Sequence, residues 1–242
     1  VRYVTFSTYN EPTLDRLFDE RLEVLAKTRL LLKLFTNGSG LSVQRMERLS
    51  ELGLLKEIVF NVPSLDPATF SKMTGSSGAL DVLLSKIDHA TKIGLPVSLS
   101  VQGLRTKETH ETVAAIAKRF RKTVRRKIEL AFTTDRAGII SNQYFLNVKV
   151  DGPLHGCEIV LNTLYIAVDG GCFTCCVDFH KKTVFANIRD GEIDAIMNSE
   201  AALRIRRQVF GAELAPGDSI CRSCIRMKDN AGIYGPDYKS HI

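Results

Sequence analysis

The first 156 residues contain no cysteine, although the 242-residue chain has six. Low-complexity segments are also absent, and with 44% hydrophobic and 25% charged residues the chain is expected to be globular. No apolar run approaches the roughly 20 residues that span a bilayer, which excludes a membrane-spanning helix. The opening stretch, VRYVTFSTYNEP, has neither the basic start of a signal peptide nor an initiating methionine. It begins directly on a strand-like run, and the chain is read as a fragment of a longer protein. A strong charge imbalance is absent too. The net charge of +6, from 33 basic and 27 acidic side chains, is too mild to imply nucleic acid as a partner. The one basic run, Lys118–Lys127, sits at the end of an expected helix, where cations complement the helix dipole, and reads as a solvated helix end, with a phosphate or peptide docking patch as the alternative.

What is present is concentrated. Cys157, Cys172, Cys175, Cys176, Cys221 and Cys224 all fall within one 68-residue window. Cys221 and Cys224 form a C-x-x-C knuckle, which is half of a tetrahedral thiolate site for zinc or for a cubane cluster. Asp169-Gly170-Gly171 is a hairpin turn signal that brings Cys157, ahead of the first hairpin strand, near the cysteines ending the second. Cys175 or Cys176 then supplies the remaining ligand. A zinc-stapled subdomain and an iron–sulfur site both satisfy this spacing. A disulfide framework suits a small secreted chain, which this is not.

The first half alternates between two periods. Strands are expected at Arg2–Ser7, Leu30–Thr36, Glu57–Val62, Pro96–Val101 and Lys127–Thr133. Helices are expected at Leu14–Ala26, Leu41–Leu52, Ala79–Ile93 and His110–Phe120. The β-α alternation predicts an α/β fold with a parallel sheet and right-handed crossovers, whose ligands gather beyond the carboxyl ends of the strands. Polar residues collect there: Tyr9-Asn10-Glu11, Thr36-Asn37-Gly38, Asn61, Ser98, Ser100 and Thr133-Thr134-Asp135. A domain boundary is placed near Asn142, giving domains of 1–141 and 142–242. The second is expected to hold a strand at Tyr144–Val150, the cysteine hairpin, a strand at Val184–Ile188, and helices near Ile193–Asn198 and Ala201–Phe210.

Nearly the whole chain resembles a radical S-adenosylmethionine (SAM) enzyme with a C-terminal auxiliary-cluster domain of the twitch or shortened SPASM kind. Tyr9-Asn10-Glu11-Pro12-Thr13-Leu14 resembles the G-G-E-P-T-L motif after the second barrel strand of that family, with Asn10 replacing a glycine. Phe35-Thr36-Asn37-Gly38 resembles the T-N-G after the third strand. Phe60–Asp66 resembles the I-S-L-D segment after the fourth, with Asn61 where serine is usual, and Phe70–Gly75 resembles the y-x-x-x-x-G that follows it. In the second half, Asp169–Phe179 resembles D-G-x-V-x-P-C-C-x-D-F. Ala186-Asn187-Ile188 and Ile196–Ser199 resemble the subsequent G-N-I and I-W-N-S, and Cys221-x-x-Cys224 closes the pattern.

The resemblance implies a partial (β/α)6 barrel lacking its first strand, followed by a small α+β cluster domain. It implies Cys157, Cys175, Cys221 and Cys224 as ligands of one auxiliary [4Fe-4S] cluster, with Cys176 pointing away and Cys172 in core packing. Glu11, with the backbone of Tyr9, Asn10 and Pro12, would bind the SAM amino group. Thr36 and Asn37 line the same mouth, and Asn61, Ser98 and Ser100 contact ribose or carboxylate. No C-x-x-x-C-x-x-C is present, so a second [4Fe-4S] cluster is expected on a missing N-terminal segment, and the fragment alone is expected to be inactive. The implied chemistry is reductive cleavage of SAM and hydrogen abstraction from a small-molecule substrate by an oxidoreductase-like enzyme. The auxiliary cluster transfers electrons, with an external donor of the flavodoxin or ferredoxin type. Two alternatives stand beside it: a peptide-modifying maturase and a non-catalytic zinc- or cluster-binding relative. Oxygen-labile clusters and reduced thiols imply a cytoplasmic setting.

Overall fold

The computed structural model describes residues 2–7, 9–104, 106–140, 145 and 148–233. They fall into two compact units, Val1–Thr133 and Thr134–His241. The boundary expected near Asn142 lies outside the described residues, and the described division comes earlier, where the parallel sheet ends. Most of the strand expected at Tyr144–Val150 is likewise outside the described residues, and its described part, 148–150, is irregular.

In the first unit, β1 (Tyr3–Phe6), β2 (Leu31–Thr36), β3 (Leu55–Asn61), β4 (Val97–Gly103) and β5 (Ile128–Phe132) form one sheet in the order β1-β2-β3-β4-β5. Every neighbouring pair is parallel. A strictly sequential order never reverses direction, so right-handed crossovers place every connecting helix on the same face. That is barrel winding, in contrast to a doubly wound sheet with helices on both faces. The connecting helices are α1 (Phe18–Ala26), α2 (Val43–Leu52), α3 (Pro67–Thr74), α4 (Ala79–Lys92) and α5 (Lys107–Phe120).

Strand side chains alternate accordingly. Leu32, Leu34, Ile58, Phe60, Val97, Leu99 and Val101 enter one buried apolar cluster together with Phe18, Met46, Ile87 and Ile116 from the helices. The intervening positions are largely polar. Lys33 stands opposite Glu57, Asn61 opposite Ser100, and Ser100 opposite Glu129. On this second face Lys33 and Glu57 form an ion pair of 2.8 Å with side chains 20% and 10% exposed. Ser98 Oγ donates to Glu57 Oε1 at 2.5 Å. Burial alone would raise the Glu57 carboxyl, but the bonds from Lys33 and Ser98 outweigh it and hold it below the usual range.

Two helices differ from expectation for local reasons. The stretch Leu14–Ala26 is not one helix. Glu11 caps a single 3-10 turn at Pro12–Leu14, extended Asp15 breaks it (φ −63°, ψ 126°), and α1 begins only at Phe18. The helix α3 was not expected at all. Its signals are nonetheless in the sequence: Asp66 caps Thr69 N at 2.8 Å, Pro67 opens the helix and Gly75 ends it at φ +70°.

In the second unit α6 (Ile159–Asn162) comes between Cys157 and the hairpin, so Cys157 does not lead straight into a strand as expected. The three-stranded antiparallel sheet β6 (Tyr165–Ile166), β7 (Gly171–Phe173) and β8 (Ala186–Asn187) follows, with the expected turn between β6 and β7. The strand expected at Val184–Ile188 is shortened to β8, because Asn187 and Asp190 form a reciprocal cap that turns Ile188–Asp190 into 3-10 helix. Then come α7 (Ile193–Met197), α8 (Glu200–Val209), α9 (Ile220–Ser223) and α10 (Ile225–Asn230).

One close approach fixes the loop after β2. A Cβ on Gly40 would lie 2.3 Å from the carbonyl oxygen of Thr13. Arg45 closes the same place, donating from Nη1 to Thr13 O and Gly40 O. Gly40→Ala is expected to cost about 1–3 kcal/mol of stability, the usual range for overpacking, and so to lower the urea midpoint, because the neighbour is backbone and cannot yield. Urea unfolding of the variant against the parent measures this.

Candidate functional site

In the first unit the loops after β1 and β2 meet at one carboxylate. Glu11 Oε1 accepts from Thr13 N (3.1 Å), Thr13 Oγ1 (2.6 Å) and Thr36 Oγ1 (2.7 Å). Glu11 Oε2 accepts from Asn37 N at 2.6 Å. Three donors saturate Oε1, whereas Oε2, with a single donor, retains acceptor capacity for a cation or an ammonium group. Thr36 Oγ1 also receives Gly38 N at 2.8 Å, and Lys86 Nζ reaches Gly38 O at 2.6 Å. Pro12 is buried, and Tyr9, Asn10 and Asn37 are exposed at the mouth.

The remaining strand-end residues divide. Asn61 Oδ1 is buried and accepts no hydrogen bond among the described residues, which marks it as an acceptor without its donor. Ser100 is its register partner on the same face. The Ser98 hydroxyl is already committed to Glu57, one layer further in. The structure therefore brings Glu11, Thr36 and Asn37 together directly and separates Ser98 from them in role.

In the second unit all six cysteines are free. Cys157, Cys221 and Cys224 pack against a small core of Val150, Leu154, Val160, Val209, Ala215 and Met227. The hairpin carries Cys172 inward, where it is fully buried, as expected of core packing. Cys175 and Cys176 occupy the loop after β7, which Asp178 folds back. That buried carboxylate accepts from Lys182 N (2.9 Å), Thr183 N (2.7 Å) and Thr183 Oγ1 (2.8 Å).

Electrostatics tie the thiols together. Burial pushes Cys221 up to about 12, with further contributions from Cys224 and Cys157. Burial also raises Cys224, against the pull of the Arg226 and Met227 N–H groups, with Asp135 and Cys157 adding to the rise. Cys175 is raised by its hydrogen bond to Cys176 and by burial, opposed by Val177 N–H, and it also feels Cys224. Cys157, Cys221 and Cys224 thus influence one another, and Cys175 is coupled to the set through Cys224. Cys176 behaves differently: the bond from Cys175, the Tyr165 hydroxyl, Arg136 and Arg226 lower it to about 6 despite burial.

The donor set fits a thiolate-bound metal centre. Backbone N–H groups of Val177, Arg226 and Met227 address the sulfurs, and Arg136 and Arg226 stand nearby. Hydrogen bonds to sulfur are how proteins tune such centres. Among the described residues no three His, Cys, Asp or Glu side chains are drawn round one point as a single ion requires. A lone tetrahedral zinc, with Zn–S near 2.3 Å, brings its sulfurs to within about 4 Å of one another, whereas a cubane engages each thiolate at a different iron.

Several contacts of this site carried no sequence signal, although Asp135 itself stands among the strand-end polar residues. Asp135 and Lys228 form an ion pair of 3.0 Å with side chains 2% and 1% exposed. Asp135 Oδ1 also accepts from Ala137 N at 3.1 Å, in a left-handed turn where Arg136 and Ala137 have φ of 50° and 56°. Arg136 Nη1 donates to Cys176 O at 3.2 Å. These contacts join positions 40 and 93 residues apart, beyond any local pattern. Asp178 is the exception, since the C-C-x-D-F pattern flags it.

Comparison with known proteins bears on both units. Residues 157–225 match the SPASM family model, an iron–sulfur cluster-binding domain. No curated protein matches the chain. Among solved structures the chain is similar to BtrN in complex with AdoMet and 2-DOIA, at 18% identity and a TM-score of 0.56, covering 92% of this chain and 72% of that one. It is similar to Streptococcus suis SuiB bound to precursor peptide SuiA, at 14% identity and a TM-score of 0.66, covering 90% and 58%. It is also similar to native anSMEcpe with bound AdoMet and Kp18Cys peptide, at 13% identity and a TM-score of 0.63, covering 86% and 70%. The chain therefore spans 58–72% of the length of these structures. The fold is that of radical SAM enzymes, a parallel partial barrel followed by a SPASM-type cluster domain.

The buried pair gives a direct test of the second unit. Asp135→Ala removes the carboxylate that faces the buried Lys228 ammonium, and breaking a buried pair of this kind costs about 3–5 kcal/mol. Thermal unfolding should show a marked loss for Asp135→Ala and a smaller one for the double replacement Asp135→Ala with Lys228→Met.

Proposed function

We propose that this chain is the SAM-binding and auxiliary-cluster portion of a radical SAM enzyme. The reading is carried by one observation: in the region matched by an iron–sulfur domain model, Cys157, Cys221 and Cys224 pack on one small core, Cys175 is coupled to Cys224, and backbone N–H groups address Cys175 and Cys224. These four would hold an auxiliary [4Fe-4S] cluster, which supplies one-electron transfer when bound. The 242 residues contain no C-x-x-x-C-x-x-C, so cleavage of SAM requires three further thiolates from sequence outside them.

The chain's own groups have distinct tasks. Glu11 keeps Oε2 available for the SAM ammonium while Thr13, Thr36 and Asn37 hold the carboxylate in place. Asn61 and Ser100 meet the ribose or carboxylate, and Tyr9, Asn10 and Pro12 shape the entrance. Ser98 acts through Glu57, as part of the inner polar wall. Cys175 is the ligand of the adjacent pair because it senses Cys224, and Cys176, bonded by Tyr165, flanks it.

The substrate is a small molecule, processed in an oxidoreductase-type reaction with electrons exchanged with an external donor of the flavodoxin or ferredoxin type. A peptide substrate is the second reading, supported by the peptides bound in SuiB and anSMEcpe. Among the described residues no helix is long and apolar enough to cross a membrane. Oxygen-labile centres and reduced thiols favour a cytoplasmic site of action.

Anaerobic reconstitution is expected to yield about four irons and four sulfides per chain, with the charge-transfer absorption of a cubane. Cys221→Ala and Cys175→Ser should abolish uptake, and Cys176→Ser should retain it. Zinc without iron would overturn the redox role. For the other site, Glu11→Gln is expected to weaken SAM binding by about tenfold or more, through loss of a charge-assisted bond. Thr36→Val, which loosens the clamp and keeps the charge, should cost less. Equilibrium dialysis with labelled SAM separates the two.

A further inference from the structure

Arg222 lies inside the C-R-S-C knuckle, between two of the four thiols, and only 9% of it is exposed. Four carbonyls hold its guanidinium. Nε donates to Pro216 O (2.9 Å), Nη1 to Val150 O (2.7 Å) and Gly152 O (3.0 Å), and Nη2 to Ala215 O (2.6 Å). Four of its five N–H groups are therefore satisfied. Its charge is not. Among the described residues no carboxylate forms an ion pair with it, in contrast to Lys228 and its partner Asp135. Carbonyl dipoles replace lost water but supply no net countercharge, and a buried uncompensated cation is strongly unfavourable.

The location of the missing charge follows from the packing. Val150 and Ala215, whose carbonyls grip the guanidinium, belong to the same small core that Cys157, Cys221 and Cys224 pack against. Protonated thiols are neutral. Binding a metal centre removes their protons and leaves negative thiolates in that core.

We propose that Arg222 is the fixed countercharge of the metal–thiolate centre, so that the buried arginine and the bound metal stabilise each other. The proposal rests on the reading of Cys157, Cys175, Cys221 and Cys224 as ligands. Arg222, its guanidinium bonded to four carbonyls, would act through the thiolates and is a positioning residue. It pins the 150–152 and 215–216 stretches to the knuckle, and its charge sets how firmly the centre is held and how readily it accepts an electron.

A purely structural pin and a countercharge are separated by a cycle. The full chain is prepared with and without metal as wild type, Arg222→Met and Arg222→Lys. Melting temperature, metal retention against a chelator and the reduction potential of the reconstituted centre are then measured. Loss of the carbonyl bonds lowers the melting temperature in both states, whatever the role. The countercharge predicts in addition that Arg222→Met shrinks the metal-induced rise in melting temperature, weakens metal retention by about tenfold and shifts the potential to more negative values. Arg222→Lys should keep the rise and the potential close to wild type. An unchanged metal-induced rise and potential in Arg222→Met would overturn the proposal.

Should Arg222→Met fail to fold, Gly152→Asp decides the matter. Gly152 has open space at its Cβ and its carbonyl touches Arg222; its φ of +68° strains any L side chain, aspartate less than most. The new carboxylate competes for the arginine's charge, and metal retention should fall while the fold is kept. Unchanged retention there counts against the countercharge. Failure of the wild type to bind either iron or zinc is a different result, since it removes the thiolate centre itself.

Discussion

The second unit depends on burying charge in a core too small to absorb it unaided. Six apolar residues form the cluster against which three thiols pack, and within the same unit lie Arg222, Lys228, Asp135 and Asp178, all nearly buried. A core of this size contributes little stability by itself, and small domains compensate with metals or other cross-links. The buried charged groups are therefore individually held: Lys228 is paired with Asp135, Asp178 accepts from three donors, and Arg222 has its N–H groups, though not its charge, satisfied by four carbonyls. The thiols obey the same constraint. They stay protonated where burial dominates, and the one thiol lowered is the one next to two arginines and a tyrosine hydroxyl.

In the first unit the constraint is directional. Sequential parallel order commits one face of the sheet to the helices, and ligand contacts can form only on the other face and at the strand ends. Glu11 occupies the meeting point of two such ends. Its carboxylate organises both loops through bonds internal to the chain, so the geometry of the proposed SAM site is prepared by the fold itself.

The sequence disclosed the parts that follow local rules. Strand and helix periods placed all five strands of the first unit within a few residues, and the Asp169-Gly170-Gly171 turn located the hairpin because glycine at φ +87° is needed there. The cysteine window coincides with the stretch that the iron–sulfur domain model matches. What stayed hidden depends on tertiary contact. Asp135 meets Lys228 across 93 residues, and Arg136 meets Cys176 across 40, so neither shows in a window of neighbours. The commitment of Ser98 was equally invisible, since polar residues at strand ends look alike until Glu57 is found beside one of them. The break before α1 was missed for another reason: an apolar period continues through Leu14 and Leu17, while capping by Glu11 ends the turn.

The alternation along β3 and β4 has an evolutionary corollary. Ile58, Phe60, Leu99 and Val101 answer to the helices, whereas Glu57, Asn61, Ser98 and Ser100 answer only to whatever shares the opposite face. Mutations at these second positions change no helix packing. The sheet can therefore drift through many inner-wall chemistries at nearly constant foldedness, and selection for a new ligand acts on residues whose variation leaves the scaffold intact.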